Sequence, residues 1–281
     1  MRFMLFAALL ALCCFGCQKE KKLKTPDGIE YIQHTDLGNK KPNPGDYVYF
    51  HAQIRDGERV IRSSRQDGVD PVMQIPVSEE PGREPSPVES VLKLIGVGDS
   101  VTVLIELDSL QQQQMGFTES NIMYYDVVVT SIETEEERQA RLDVVRKREP
   151  EIAGKVSATI QQYNGGQLAS EIKTTESGLK YIIHEEGSGD LPAPGNNVSV
   201  HYYGSLTNGT MFDNSFSRGE PISFPLGRCR VIQGWDEGIA LLKPGGKATL
   251  FIPSNLGYGE QGSPPNIPPN AELVFYVERE K

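Results

Sequence analysis

No pair of catalytic carboxylates, no metal-ligand cluster and no phosphate-cradling loop stands out between Gly195 and Glu280, the stretch of the 281 residues richest in motifs. Those absences remove the commonest hydrolytic, metal-dependent and nucleotide-binding chemistries. Positive charge is in deficit: 28 Lys and Arg face 38 Asp and Glu, a net charge of −10, and no basic stripe carries interleaved aromatics. A generic nucleic-acid binder needs a basic face, so that class is excluded too. Cysteine is scarce and clustered, with three of the four (Cys13, Cys14 and Cys17) near the start and only Cys229 beyond them. Tryptophan occurs once, at Trp235. What remains is enough for folded domains: 38% hydrophobic and 23% charged residues, over a length suited to two domains of ordinary size.

The amino terminus reads as a processing segment. Met1-Arg2 is a short positive start, and the apolar run 3–12 is too short to span a bilayer. Gly16-Cys17 then precedes an abrupt turn to Gln18-Lys19-Glu20-Lys21-Lys22. A small residue before cysteine resembles a bacterial lipobox, although Cys14 and Phe15 depart from the usual residues before the glycine; an ordinary cleaved signal is the other reading. In the lipobox reading, residues 1–16 are a lipoprotein signal, Cys17 is acylated and 17–24 is a charged tether. Each buried methylene of the anchor contributes ~0.8 kcal/mol, so several chains hold the protein on the membrane without a spanning segment. Gln18, not Asp, after Cys17 favours the outer membrane, facing the periplasm or the cell surface. With Cys17 lipidated, Cys229 has no disulfide partner, and core packing must supply the stability.

Beyond the tether, period-two alternation predicts strands at 29–33, 47–54, 101–107 and 125–132, with Arg55-Asp56-Gly57-Glu58 as a hairpin turn. Residues 88–95 predict one or two helical turns with Val88, Val91, Leu92 and Ile95 on one face. This first unit runs over 25–133. Thr134 followed by Glu137 has capping-box spacing, opening a helical connector over 134–173. Leu142, Val145, Ile152, Val156, Ile160 and Tyr163 share one face of it. Pro150 should split or kink the helix and Gly165-Gly166 should end it. The segment is read as a connector, with a dimerisation arm that makes a homodimer as the competing reading. A last unit over 174–281 has predicted strands at 179–183, 197–206, 247–252 and 272–278, an Asn208-Gly209 turn, and one short helix over 234–242. A small antiparallel sheet wrapped on one short helix is the natural assembly.

The two units repeat each other. Pro44-Gly45-Asp46-Tyr47-Val48 parallels Pro194-Gly195-Asn196-Asn197-Val198, and Asp27-Gly28-Ile29-Glu30-Tyr31 parallels Ser177-Gly178-Leu179-Lys180-Tyr181. The spacing between copies far exceeds a solenoid period of roughly 20–50 residues, so this is a duplicated fold. The copies differ at the aromatics: Tyr202 stands opposite Ala52, and Trp235 opposite Val88.

The order His201-Tyr202-Tyr203-Gly204, Met211-Phe212-Asp213, Val231-Ile232-Gln233-Gly234-Trp235, Gly257-Tyr258-Gly259, Ile267-Pro268-Pro269-Asn270 and Leu273-Val274-Phe275 closely resembles the FKBP-type peptidyl-prolyl cis-trans isomerases. The likeness covers about 178–278. It implies an α+β fold in which two FKBP-like domains, each a twisted antiparallel sheet wrapped around a short helix, are joined by the connector; the first is degenerate. It also implies a prolyl isomerase needing no cofactor or metal. Trp235 becomes the floor of an apolar pocket, with Tyr202, Phe212, Phe224 and Phe275 as its walls. Val231 and Ile232 lie along one side, and the Ile232 N–H donates to a substrate carbonyl. Tyr258 stands at the rim, Asp213 faces the twisted imide or fixes the tyrosines, and the loop holding Ile267 is an edge of the cleft. His201 is a structural strand residue. Ile222 stands where the family often has another aromatic, and Ser263 and Asn266 replace bulkier loop residues, departures that bear on large macrolide inhibitors. Implied partners are proline-containing unfolded or exported polypeptides, with the protein as a folding helper. The competing function is a non-catalytic chaperone or scaffold that holds proline-containing partners.

Overall fold

The computed structural model describes residues 21–67, 69–78 and 82–281. Cys17, the expected lipidation site, and the expected signal segment 1–16 lie outside them. The first sheet contains β1 (Lys21–Lys24), β2 (Glu30–Thr35), β3 (Tyr47–Asp56), β4 (Arg59–Ser63), β5 (Val72–Gln74), β6 (Ser100–Glu106) and β7 (Ile122–Glu133). Short helices α1 (Ser64–Asp67), α2 (Pro87–Leu92) and α3 (Ser109–Met115) interrupt it. The connector is two helices, α4 (Glu135–Arg146) and α5 (Glu149–Asn164). The second sheet follows with β8 (Lys173–Thr174), β9 (Lys180–Glu185), β10 (Asn197–Leu206), β11 (Met211–Asn214), β12 (Ile222–Pro225), β13 (Lys247–Ile252) and β14 (Leu273–Arg279). Helix α6 (Gln233–Ala240) lies between β12 and β13.

The duplication is visible in the topology. One sheet is ordered β1-β2-β6-β7-β3-β4 with β5 on β3; the other is ordered β8-β9-β13-β14-β10-β11 with β12 on β10. All pairings are antiparallel, and corresponding strands occupy corresponding places. Each sheet curls over one short helix: Val88, Val91 and Leu92 of α2 enter the first core, and Trp235 and Ile239 of α6 enter the second.

Two local outcomes depart from the sequence expectations, and a third, the connector split at Pro150, meets one. Residues 21–24, read as tether, form β1 and pair with β2, with Lys22 and Lys24 bridging to Glu30. Residues 109–115, for which no element was expected, form α3, closed at its start by the Asp108–Gln111 capping box and at its end by Gly116 at φ 71°. The connector breaks at Lys147-Arg148, with Pro150 in the first turn of α5, where its missing N–H costs nothing.

The connector's apolar face packs against the chain's own second sheet. Ile152, Val156 and Ile160 of α5 join Ile182, Tyr203, Phe251, Val274 and Tyr276 in one cluster, and Tyr163 stacks on Phe251 at 4.2 Å. Helix α6 covers the opposite face. That two-sided cover explains why β14 is buried from Leu273 to Glu278, whereas β7 is largely half-exposed. Among the described residues, no helix is long and apolar enough to cross a membrane.

Candidate active site

The cleft opens on the concave face of the second sheet, at the start of α6. Strand alternation turns Tyr202 inward, while Tyr203 joins the outer core. The pair Gly204↔Phe275 joins β10 to β14, and Gly204↔Asp213 joins β10 to β11. A residue count mismatch between β10 and β11 places Phe212 beside Asp213 at the cleft.

Trp235 is the floor. Only 4% of it is exposed, and three rings surround it: Tyr202 at 5.0 Å and Phe275 at 5.3 Å, both edge-on, with Phe224 tilted at 5.8 Å. Phe212 meets Phe275 edge-on at 5.4 Å. Edge-to-face pairs satisfy the ring quadrupoles and hold their angles, so the walls are fixed relative to one another. The buried Trp235 Nε1–H has no acceptor among the described residues.

The cleft holds about 230 Å³ and is lined by Tyr202, Phe212, Asp213, Trp235, Tyr258 and Phe275, with Val231 and Ile232 along one side. Ile222 and Arg230 complete the lining. Ile232 is the N-cap residue of α6, extended at φ −61° and ψ 150°. Tyr258 stands at the rim, 40% exposed.

Two expected wall and edge residues sit elsewhere. Phe224 packs beside Trp235 in the same core and is not among the residues that line the cleft. Ile267 is 5% exposed and belongs to the same core; its backbone pairs with Ser263 to shape the loop. Both are strand-end or loop apolar residues, and sequence spacing does not tell the layer touching the cleft from the layer beneath it. Cys229 is exposed, at φ 54° in the turn before α6, where Asp236 accepts from the Gly227 and Cys229 N–H groups.

One polar group was missed. Arg218 donates from Nη1 to Asp213 Oδ1 at 2.7 Å and from Nη2 to the Tyr202 hydroxyl at 2.7 Å, while that hydroxyl donates to Asp213 Oδ2. The three close a ring of hydrogen bonds at one side of an otherwise apolar cavity. Burial, with the Asp213 carboxylate beside it, pushes the Tyr202 phenol up to about 12, so it stays a neutral donor across the physiological range. Burial and then Asp213 also raise the Tyr258 phenol. In sequence Arg218 resembles any exposed loop arginine, and only its proximity to Phe212-Asp213 hinted otherwise.

A hollow of about 390 Å³ lies on the first sheet, lined by Ala52, Ile54, Arg62 and Tyr125 among others and bordered by Asn197 of β10. By strand register the first four stand for Tyr202, Gly204, Asp213 and Phe275. The hollow lacks the aromatic box, and has a cation where the second copy has a carboxylate.

The sequence model of the FKBP-type peptidyl-prolyl cis-trans isomerases matches residues 189–279. Over 170 residues the chain is 39% identical to a probable FKBP-type peptidyl-prolyl cis-trans isomerase FkpA of Neisseria meningitidis, covering 58% of this chain and 62% of that one. It is 52% identical over 101 residues to FK506-binding protein 1 of Dictyostelium discoideum, covering 36% of this chain and 94% of that one. Among solved structures, FkpA from Escherichia coli aligns with 33% identity and a TM-score of 0.40, covering 63% of this chain and 83% of that one. The chain belongs to the FKBP-type peptidyl-prolyl cis-trans isomerase family. It spans 62% of the Neisseria relative's length and 44% of that of a Haemophilus influenzae relative.

Proposed function

We propose that the protein is a peptidyl-prolyl cis-trans isomerase acting on exported polypeptides, with the cleft over Trp235 as its active site. The observation that carries this reading is the rigid aromatic box of Tyr202, Phe212, Trp235 and Phe275, bordered on one side by the Asp213–Arg218–Tyr202 ring.

The chemistry follows from amide electronics. Resonance makes the peptide bond planar and sets a barrier of ~18–20 kcal/mol to rotation. At the twisted transition state that resonance is lost, the C–N unit is less polar, and the nitrogen lone pair is localised. An apolar cage disfavours the planar dipole more than the twisted bond, which is differential binding of the transition state. The prolyl ring rests on Trp235, between Phe212 and Phe275. The Ile232 N–H, placed before the first turn of α6 where helices leave N–H groups unpaired, donates to one substrate carbonyl. The Tyr258 hydroxyl donates to a second. Asp213, held by Arg218 and Tyr202, faces the rotating bond at a fixed position. No bond is made or broken, so no nucleophile or proton shuttle is required.

The leader and Cys17 support a lipid-anchored protein of the bacterial cell envelope, working on proline-containing chains as they fold. Replacement of Cys17 with Ser should move the protein from the membrane to the soluble fraction; unchanged retention on membranes refutes the anchor.

The enzymatic reading is tested by isomerisation of an X-Pro peptide followed by NMR exchange. The whole protein should outpace the uncatalysed reaction, which takes roughly tens of seconds. Trp235→Ala and Asp213→Ala should each lower kcat/KM by about tenfold or more, equivalent to ~1.4 kcal/mol of transition-state stabilisation. A folded wild-type protein that gives no acceleration refutes catalysis and leaves a binding role for the cleft.

A further inference from the structure

The loop between β11 and β12 carries Arg218 into the active site, and its opposite side is gripped by the connector. Gly219, next in sequence, sits at φ +84°, and a Cβ there would lie 2.8 Å from the Leu142 carbonyl oxygen and 3.0 Å from the Leu142 Cβ of α4. Leu142 is itself buried. Glu220, the following residue, accepts an ion-paired hydrogen bond from Arg138 of the same helix. Phe216, fully buried at the start of the loop, lies under the Arg148 guanidinium at 5.3 Å, and Arg148 is anchored to Glu278 at 2.6 and 2.8 Å. Three successive contacts from the connector thus fix the loop.

The same helix grips the first sheet. The Arg138 guanidinium lies over the Tyr47 ring at 4.6 Å. Arg141 donates to Glu133 at 2.9 and 3.0 Å and to the Tyr49 hydroxyl at 2.9 Å, and that hydroxyl donates to Glu133 at 2.9 Å. Tyr47 and Tyr49 open β3, and Glu133 closes β7. Helix α4 is therefore held by the first unit while it holds the loop of the second.

From this we infer that α4 is a positioning element of the active site: Arg138 and Leu142 set the loop that aims Arg218 at Asp213 and Tyr202, and the first unit is the brace that steadies the helix. The inference rests on the isomerase reading above. Arg218 is a long side chain whose two bonds at 2.7 Å require a fixed backbone. If the loop loosens, the ring opens, Asp213 and Tyr202 gain rotamer freedom, and ordering is paid again at each turnover. Arg138 touches neither the cleft nor a substrate in it; its effect runs through Glu220 and Arg218. The first unit, without an aromatic box of its own, thereby has a mechanical role in the chemistry of the second.

The test uses the full chain and two readouts: kcat and KM for an X-Pro peptide, and the fluorescence of Trp235, the sole tryptophan, whose ring is 5.0 Å from Tyr202. Arg138→Ala and Glu220→Gln should each lower kcat about fivefold with KM little changed, within the range that positioning residues reach. Both should also shift the Trp235 emission. The reversed pair, Arg138→Glu with Glu220→Arg, should recover most of the lost kcat. Arg146→Ala, which on the same helix loses only Gln139 and Asp143 as partners, should change neither readout. Folded Arg138→Ala and Glu220→Gln proteins with wild-type kcat and emission overturn the inference. A wild-type protein without isomerase activity removes the reading beneath it, and Trp235 emission unaltered by Arg138→Ala then overturns the positioning role on its own.

Discussion

Gly204 shows how closely single residues define this cleft. It lies inside β10, where glycine ordinarily weakens a strand. Here a Cβ would fall 2.7 Å from Phe275 Cε1 and 2.8 Å from Phe212 Cε2, so both rings occupy space that any other residue would take. Gly204→Ala should drive the two rings apart, lower kcat/KM by at least about tenfold and destabilise the protein by about 1–3 kcal/mol. Paired peptide kinetics and thermal unfolding check this, and a fully active variant would show that the ring spacing is not critical. The aromatic positions Tyr202, Phe212, Trp235 and Tyr258 were legible with Asp213, because they stand in a motif order that implied one cleft. Arg218 was not, because a loop arginine gains its partners only when the loop folds back over β10 and β11. Phe224 and Ile267 were expected at the cleft because the family resemblance carried them there, and a motif match does not mark depth.

Among the elements, α5 does the most unexpected work. Its apolar stripe was readable from Ile152, Val156, Ile160 and Tyr163, but a stripe states only that something covers it. In the fold the cover is the outer face of the second sheet, where Phe251 is fully buried and stacked on Tyr163. Phe251→Ala should therefore cost about 3–5 kcal/mol, the usual loss for a buried phenylalanine. Denaturant unfolding measures it, and a loss under 1 kcal/mol would mean that α5 adds little to the sheet. Helix α3 was legible in principle, since Asp108 and Gln111 have capping-box spacing and Gly116 supplies the left-handed stop. Strand β1 was not: Lys21, Lys22 and Lys24 resemble a solvated run, and only the free edge of β2 makes them a strand.

Across the molecule, two sheets of one topology meet different surroundings, and the difference should appear in the pH dependence of stability. His201 is 5% exposed, between the Ser215 hydroxyl at 3.0 Å and the Phe216 ring at 5.3 Å. Burial lowers its pKa, against an opposing pull from Glu278. A histidine whose folded pKa is depressed binds more protons when unfolded. Its contribution is therefore whole above the unfolded value of about 6.5 and is lost as pH falls from there toward the folded value. Asp56 is depressed as well, from a different cause and in a lower pH window. Burial alone would raise it, but N–H donors from Thr118, Glu119 and Ser120, with Arg59, hold it at about 2. Its contribution persists until pH falls below about 3.9 toward that value. Urea midpoints should thus decline between pH 7 and 5, and His201→Gln should flatten that decline; a slope unchanged by the substitution would assign the titration elsewhere.

By itself the sequence determined the duplication, the strand and helix periods, the capped connector and the identity of the aromatic set, because these depend on spacing along the chain and on local backbone preference. The tertiary structure decided which apolar faces meet, which aromatics reach the opening and which lie under it, and which charged side chains enter the site. Those outcomes depend on pairs distant in sequence, Arg138 with Glu220 and Arg218 with Tyr202 among them. No local pattern records such pairs, since the energy that selects them exists only once the two sheets and the helix between them have packed.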